Sequence, residues 1–193
     1  MVASDPFQSR SKWRILLPLS ATAAVGVLLT LMGVVSTPAG GLDVNGVRMA
    51  VLQDHYLLQR AVRQYVQDTR ALPASSFDIS EDSPCALSDA RLVPLAEQDA
   101  WRGPYLQGGL SRPTAASFWS LAEPGSLGPD QAGAAWARLH RGYGEIDDTS
   151  AQYFDRILDD GDLARGDVRV TDTWIWFKLA DLSSFRPASS AAR

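Results

Sequence analysis

The sequence predicts an α+β domain with one core, carried behind an apolar N-terminal segment long enough to cross a membrane. Three observations lead there. Val47, Val51, His55, Leu58, Val62 and Tyr65 recur at spacings of three and four, which places them on one face of a long helix. VRVTDTWIWFKL (Val168–Leu179) alternates with period two and is rich in β-branched and aromatic residues, the pattern of a strand or a hairpin. Between them lie Gly-, Pro- and Ser-rich stretches with no internal repeat. A chain of 193 residues that is 46% hydrophobic builds one core and an anchor more readily than two domains.

The N-terminal run Ile15–Val35 carries no charge, follows Arg10, Lys12, Trp13 and Arg14, and has about the 20 residues that a bilayer requires. Its basic flank keeps residues 1–14 in the cytoplasm and sends the rest outside, so the predicted location is the inner membrane, single-pass, with a periplasmic C-terminal domain. A cleaved signal peptide is the competing reading, with small residues at Thr37-Pro38-Ala39. Residues 36–46 read as a linker opened by STPAGG, and residues 47–182 as the exported domain.

The long helix can be capped by Asp43 or Asn45, carries Arg48, Gln53, Arg60, Arg63, Gln67 and Arg70 on its polar face, and stops before Pro73. Residues 74–99 are loop, with a short helical turn around Leu92 and Leu95. In AWRGPYL (Ala100–Leu106), Gly103-Pro104 should reverse the chain so that Trp101 and Tyr105 pack on the helix and start the sheet. The stretch 106–133 keeps Phe118, Trp119 and Leu121 in an irregular excursion with one edge strand. Thr149 and Gln152 have capping-box spacing at the head of a second helix, Thr149–Asp160, which Gly161 ends. Residues 183–193 are expected to be disordered.

Little in the composition points to catalysis or to nucleic acid. The net charge is −4, with no clustered basic field to neutralise phosphates. His55, on the apolar stripe, reads as a satisfied packing residue, His140 as a surface residue and Cys85 as a passive thiol; together they have no zinc-ligand spacing. No Gly-rich phosphate loop or nucleophile elbow is present, so the protein is expected not to be an enzyme.

Two places could bind something. Asp159, Asp160, Asp162 and Asp167, interleaved with Gly161 and Gly166, offer the oxygen ligands a hard cation such as calcium takes, without EF-hand spacing; the alternative is a helix terminus with solvated aspartates. On a strand, Trp174 and Trp176 face one way and Ile175 and Phe177 the other, so one face is core and the other, if open, is a partner contact.

The order of three patches gives a family resemblance. QYVQDTRALPASS (Gln64–Ser76), DAWRGPYL (Asp99–Leu106) and FDRILDDGDLARGDVRV (Phe154–Val170) together resemble the head of the type IV pilins and type II secretion pseudopilins. Arg70 stands where that pattern has Gly, and Ala100 where it has Pro; the leader site with its Gly and Glu is not found at Arg14–Pro18. The resemblance implies a pilin-like head, a long amphipathic helix packed on a small antiparallel sheet. Trp101, Gly103, Pro104, Tyr105 and Pro73 would be structural residues, and the family's use of calcium favours the aspartate site. It further implies protein–protein contacts with pilin-like subunits or inner-membrane assembly proteins of a type IV pilus or type II secretion-type system. A stand-alone periplasmic or cell-surface ligand-binding domain of the same fold is the alternative.

Overall fold

A helix of 26 residues, α1 (Val44–Thr69), is the longest element among the described residues and is laid across an antiparallel sheet. The structure is a computed structural model that describes residues 42–79, 83–128 and 131–185, all within one compact unit, Ala39–Arg193. The predicted cytoplasmic and transmembrane segments, linker residues 36–41 and tail residues 186–193 lie outside the described residues. Among the described residues no helix is long and apolar enough to cross a membrane.

The Asp43 carboxylate caps α1, accepting from the Gly46 N–H at 2.7 Å, so the helix begins inside what reads as linker. All six residues of the predicted stripe are buried, and Leu52, Ala61 and Val66 join them. Each fully buried Val or Leu contributes about 1.5–3 kcal/mol of transfer free energy, far more than intrinsic helix propensity. Of the predicted polar face, Arg48 is half-buried; its guanidinium lies 4.9 Å from the Tyr153 ring centroid and donates to Ser150 Oγ at 3.2 Å.

α1 stops at Arg70, which adopts φ 60° and ψ 20° and donates its N–H to Val66 O at 2.9 Å. A β-carbon is strained in that left-handed conformation. Arg70→Gly is therefore expected to raise stability by about 1 kcal/mol, or roughly 3 °C in Tm. The side-chain bond it loses, to Phe185 O at 3.0 Å, is exposed. An unchanged or lower melting temperature would show that this bond outweighs the strain.

Past the helix, Pro73 is buried. A 3-10 turn (Ala90–Leu92) and the short α2 (Leu95–Gln98) sit where a helical turn is expected. The AWRGPYL segment is a latch on α1 rather than the start of the sheet. The Tyr105 hydroxyl donates to Asp68 Oδ2 at 2.9 Å, and the Tyr105 ring stands edge-on to Tyr65 and Trp101 at 5.8 and 5.6 Å. Trp101 Nε1 donates to Ala86 O at 3.1 Å. The Gly103-Pro104 peptide is cis, and a β-carbon on Gly103 would come within 2.4 Å of the Trp101 ring, so only glycine fits under the indole. The backbone of Tyr105 bonds Leu87 O instead of a strand.

The sheet has four strands: β1 (Trp119–Leu121), β2 (Ala134–His140), β3 (Val168–Val170) and β4 (Trp174–Asp181), in the order β1-β2-β4-β3, all antiparallel. β3 and β4 form the hairpin alternative of the 168–179 pattern, joined through Thr171–Thr173. Its inner face (Trp119, Leu121, Ala137, Leu139, Val168, Ile175, Phe177) joins the α1 stripe in one core. Phe177 is central: its ring lies 5.4 Å from His55, 5.3 Å from Trp119 and 5.9 Å from Phe154.

α3 (Asp148–Leu158) closes the core with Phe154 and Ala151. Its cap is Asp147, which accepts from the Ser150 N–H at 2.8 Å, so Thr149 is not the capping residue; its hydroxyl donates to Asp147 at 2.6 Å. After β4, the chain turns through a 3-10 helix (Leu182–Phe185) whose Leu182 and Phe185 pack on the core, so the first residues of the expected tail are ordered.

Candidate functional site

The last turn of α3 carries Asp155, Asp159 caps its C-terminal end, and the chain leaving it adds Asp160. Their carboxylate oxygens approach within 4.8 Å of one another. Asp155 is fully buried, at 0% exposure, and neither of its oxygens has a hydrogen-bond partner. Burial raises its pKa from the ordinary aspartate value, and the neighbouring Asp159, Asp160 and Asp162 raise it further. The loop then folds back on the cluster. The Asp167 N–H donates to Asp159 Oδ2, and a β-carbon on Gly166 (φ 77°) would strike that same oxygen.

Of the four aspartates singled out in the sequence, the structure groups Asp159 and Asp160. Asp162 lies 3.6 Å from Arg165, and Asp167 lies 3.6 Å from Lys178, each in an ion pair. Asp155 was not legible as a member, although its i,i+4 relation to Asp159 was visible as a like-charge pair that a helix does not favour.

The outer face of the sheet is the second place. Arg138 on β2 lies opposite Trp176 and stacks on the rings of Trp174 and Trp176 at 4.5 and 5.7 Å; Arg169 on β3 stacks on Trp136 at 5.2 Å. Such cation–π contacts contribute about 0.5–2 kcal/mol each. Trp136 and Trp176 are buried with Ala122 and Ala134 in a small second cluster, whereas Trp174 is half-buried at its margin. Trp176 is thus largely covered by its own neighbours, and Trp174 is the more accessible of the two predicted contact residues.

The aromatic surface continues beyond Trp174. His140 is not a plain surface residue: its ring stacks on Phe118 at 5.0 Å and meets Trp174 and Tyr143 edge-on. Phe118 also touches the exposed Phe77 at 5.2 Å, and Tyr143 is 93% exposed. Among the described residues, neither Arg138 nor Arg169 is ion-paired; Arg138 bonds Ser120 Oγ at 3.4 Å and Arg169 bonds Gly166 O at 3.3 Å.

Under α1, two adjacent polar residues are buried in the core. Asp54 accepts from the Ser111 hydroxyl at 2.6 Å and from Trp119 Nε1 at 3.2 Å; burial raises its pKa to about 6 against the pull of those bonds. His55 does pack in the core, but it is not fully satisfied, since its Nδ1 has no partner; burial lowers its pKa to about 4. Cys85 is buried, and burial raises its thiol pKa, the opposite of activation. The chain has been compared with family models, curated proteins and solved structures, and nothing matches in any of the three.

Proposed function

We propose that the chain is a membrane-anchored, exported protein with a pilin-like head that works by protein–protein contact in a type IV pilus- or type II secretion-type assembly. Its partners are pilin-like subunits or inner-membrane assembly proteins. The reading rests on the α+β architecture, in which a long amphipathic helix is laid on a small antiparallel sheet, and on the order of the three sequence patches.

The observation that carries the contact role is the outer sheet face. Phe118, His140, Tyr143 and Trp174 form a contiguous aromatic surface beside two guanidiniums outside any described ion pair. Aromatic and arginine side chains dominate binding hot spots because they bury large rigid areas and still donate hydrogen bonds. The same face also suits the rival reading, a stand-alone ligand-binding domain, because stacked aromatics accept a flat or apolar ligand equally well.

The test is a photo-crosslinker at Tyr143 of the full chain in native membranes. It is expected to recover pilin-like subunits or inner-membrane assembly proteins, and Trp174→Ala or Arg138→Ala should lower that recovery at least about fivefold, or roughly 1 kcal/mol of binding. Recovery of the uncrosslinked chain alone would favour the ligand-binding domain instead.

A further inference from the structure

We propose that the outer face of the sheet docks an acidic, extended peptide segment of the partner, with carboxylates seated on Arg138 and Arg169. The site rests on the contact role proposed above and adds the chemistry of the partner.

The register of the sheet assembles the site. Ser120, Arg138, Trp176 and Arg169 lie opposite one another in a row that crosses all four strands. The charged residues of those strands are Arg138, Arg169, Lys178 and Asp181. Lys178 is held between Asp167 and Asp181 at 3.6 and 3.5 Å, which leaves Arg138 and Arg169 as the two without a counter-ion among the described residues. The chain as a whole carries a net charge of −4, so the basic row is a local feature and a polyanion gains nothing from the overall charge.

Each guanidinium is already posed. The Nε of Arg138 is bonded to Ser120 Oγ and that of Arg169 to Gly166 O, and the two groups lie over the rings of Trp174 and Trp136 at 4.5 and 5.2 Å. An arginine that is stacked and anchored through Nε keeps its terminal nitrogens for a carboxylate. It also loses less side-chain freedom on binding than a free one. Neighbouring strands are about 4.8 Å apart, so the two arginines stand roughly 10 Å apart across Trp176. Carboxylates at alternate positions of an extended segment are about 7 Å apart, a span that two long side chains can meet.

The unmet groups on this face are donors. Trp136 and Trp176 are buried, and neither indole N–H has an acceptor. Sugar hydroxyls each need an acceptor of their own, whereas carboxylates only accept, so the face favours an acidic peptide over a glycan. Beside the row, Trp174, Phe118 and the exposed Tyr143 offer aromatic surface to an apolar residue of the same segment.

The experiment titrates the full chain, in uncharged detergent, against a dye-labelled, end-blocked peptide of glutamates around a central leucine, read by anisotropy. A dissociation constant of about 100 μM or below is expected. The counterpart with glutamine in place of glutamate should bind at least about tenfold more weakly, a comparison on the wild-type chain that needs no variant. Arg138→Gln and Arg169→Gln should each weaken the glutamate peptide at least about fivefold, while Arg60→Gln on the polar face of α1 should leave it unchanged. Equal binding of the two peptides overturns the proposal, as does an affinity that neither outer-face variant alters. Equal or tighter binding of a polyuronate chain would assign the face to an acidic glycan and overturn it too. The glutamate peptide should also lower the Tyr143 crosslink. A protein crosslinked there that the peptide does not displace leaves the contact role standing and overturns the acidic segment. Peptide binding with no protein crosslinked leaves the acidic docking site standing and removes the contact role.

Discussion

Phe177→Ala is expected to cost about 3–5 kcal/mol, the range for removing a buried phenylalanine from a core that cannot collapse into the space. Domains of this size are held by about 5–15 kcal/mol in all, so the variant should melt roughly 10–15 °C lower and be partly unfolded at 37 °C. The ring has no solvent exposure and touches three elements: His55 on α1, Trp119 on β1 and Phe154 on α3. No single neighbour can fill the void without leaving its own contacts. Phe177→Leu keeps most of the volume and should cost only about 1–2 kcal/mol. Trp174→Ala, three strand positions earlier and at the half-buried margin of the outer face, should cost less than Phe177→Ala. Equal losses for the two alanine variants would mean that the inner and outer faces of β4 have been assigned the wrong way round.

That contrast was legible in the sequence, because period two fixes which residues share a face even before it is known which face is core. The α1 stripe was legible for the same kind of reason, all six of its residues being buried. The strand β2 was not. AAWARLH (Ala134–His140) is poor in β-branched residues, and alanine is a weak strand former. Its use becomes clear only in the register: Ala137 lies directly opposite Phe177, and Leu139 opposite Ile175, in the layer beneath α1. A small residue next to Phe177 is a packing requirement, visible once the sheet exists.

The α3 region shows a second limit. In the run Asp147-Asp148-Thr149, every residue type is a competent cap, and only backbone geometry selects Asp147. Asp155 was hidden in a different way. Its neighbours Asp159 and Asp160 could be read as loop acids, but the burial of Asp155 is a tertiary event with no periodic signature. The outer aromatic face was half legible: Trp174 and Trp176 stood out, while Arg138 and His140 belonged to the strand that could not be read.

The buried pair Asp54 and His55 leads to the second large effect, a pH dependence that the wild-type chain should conceal. Asp54 is only 5% exposed, and burial holds its folded pKa near 6, above the unfolded value of 3.8. Its contribution to stability is therefore fully present below pH 3.8 and is lost as the pH rises through 6. His55 is 4% exposed; burial and the nearby Arg63 hold its folded pKa near 4, below the unfolded 6.5, against the opposing influence of the Lys178 backbone and Asp167. Its contribution is present above pH 6.5 and lost as the pH falls through 4. Each amounts to about 3 kcal/mol, and between pH 4 and 6 the two have opposite signs. Urea midpoints of the wild type should therefore change little over that window. Asp54→Asn, whose amide oxygen can still accept from Ser111 and Trp119, should expose a stability that climbs from pH 4 to 6.5. His55→Leu leaves no unpartnered ring nitrogen and should show a stability that falls over the same range; Asp155, whose pKa is raised too, tilts all three curves downward alike and cancels in the comparison. Asp147, lowered to about 2 by Thr149 and Ser150, acts only below the window and cancels in the comparison. Three parallel curves would show that neither group changes its protonation on folding, and with that the burial of both beneath α1 would have to be given up.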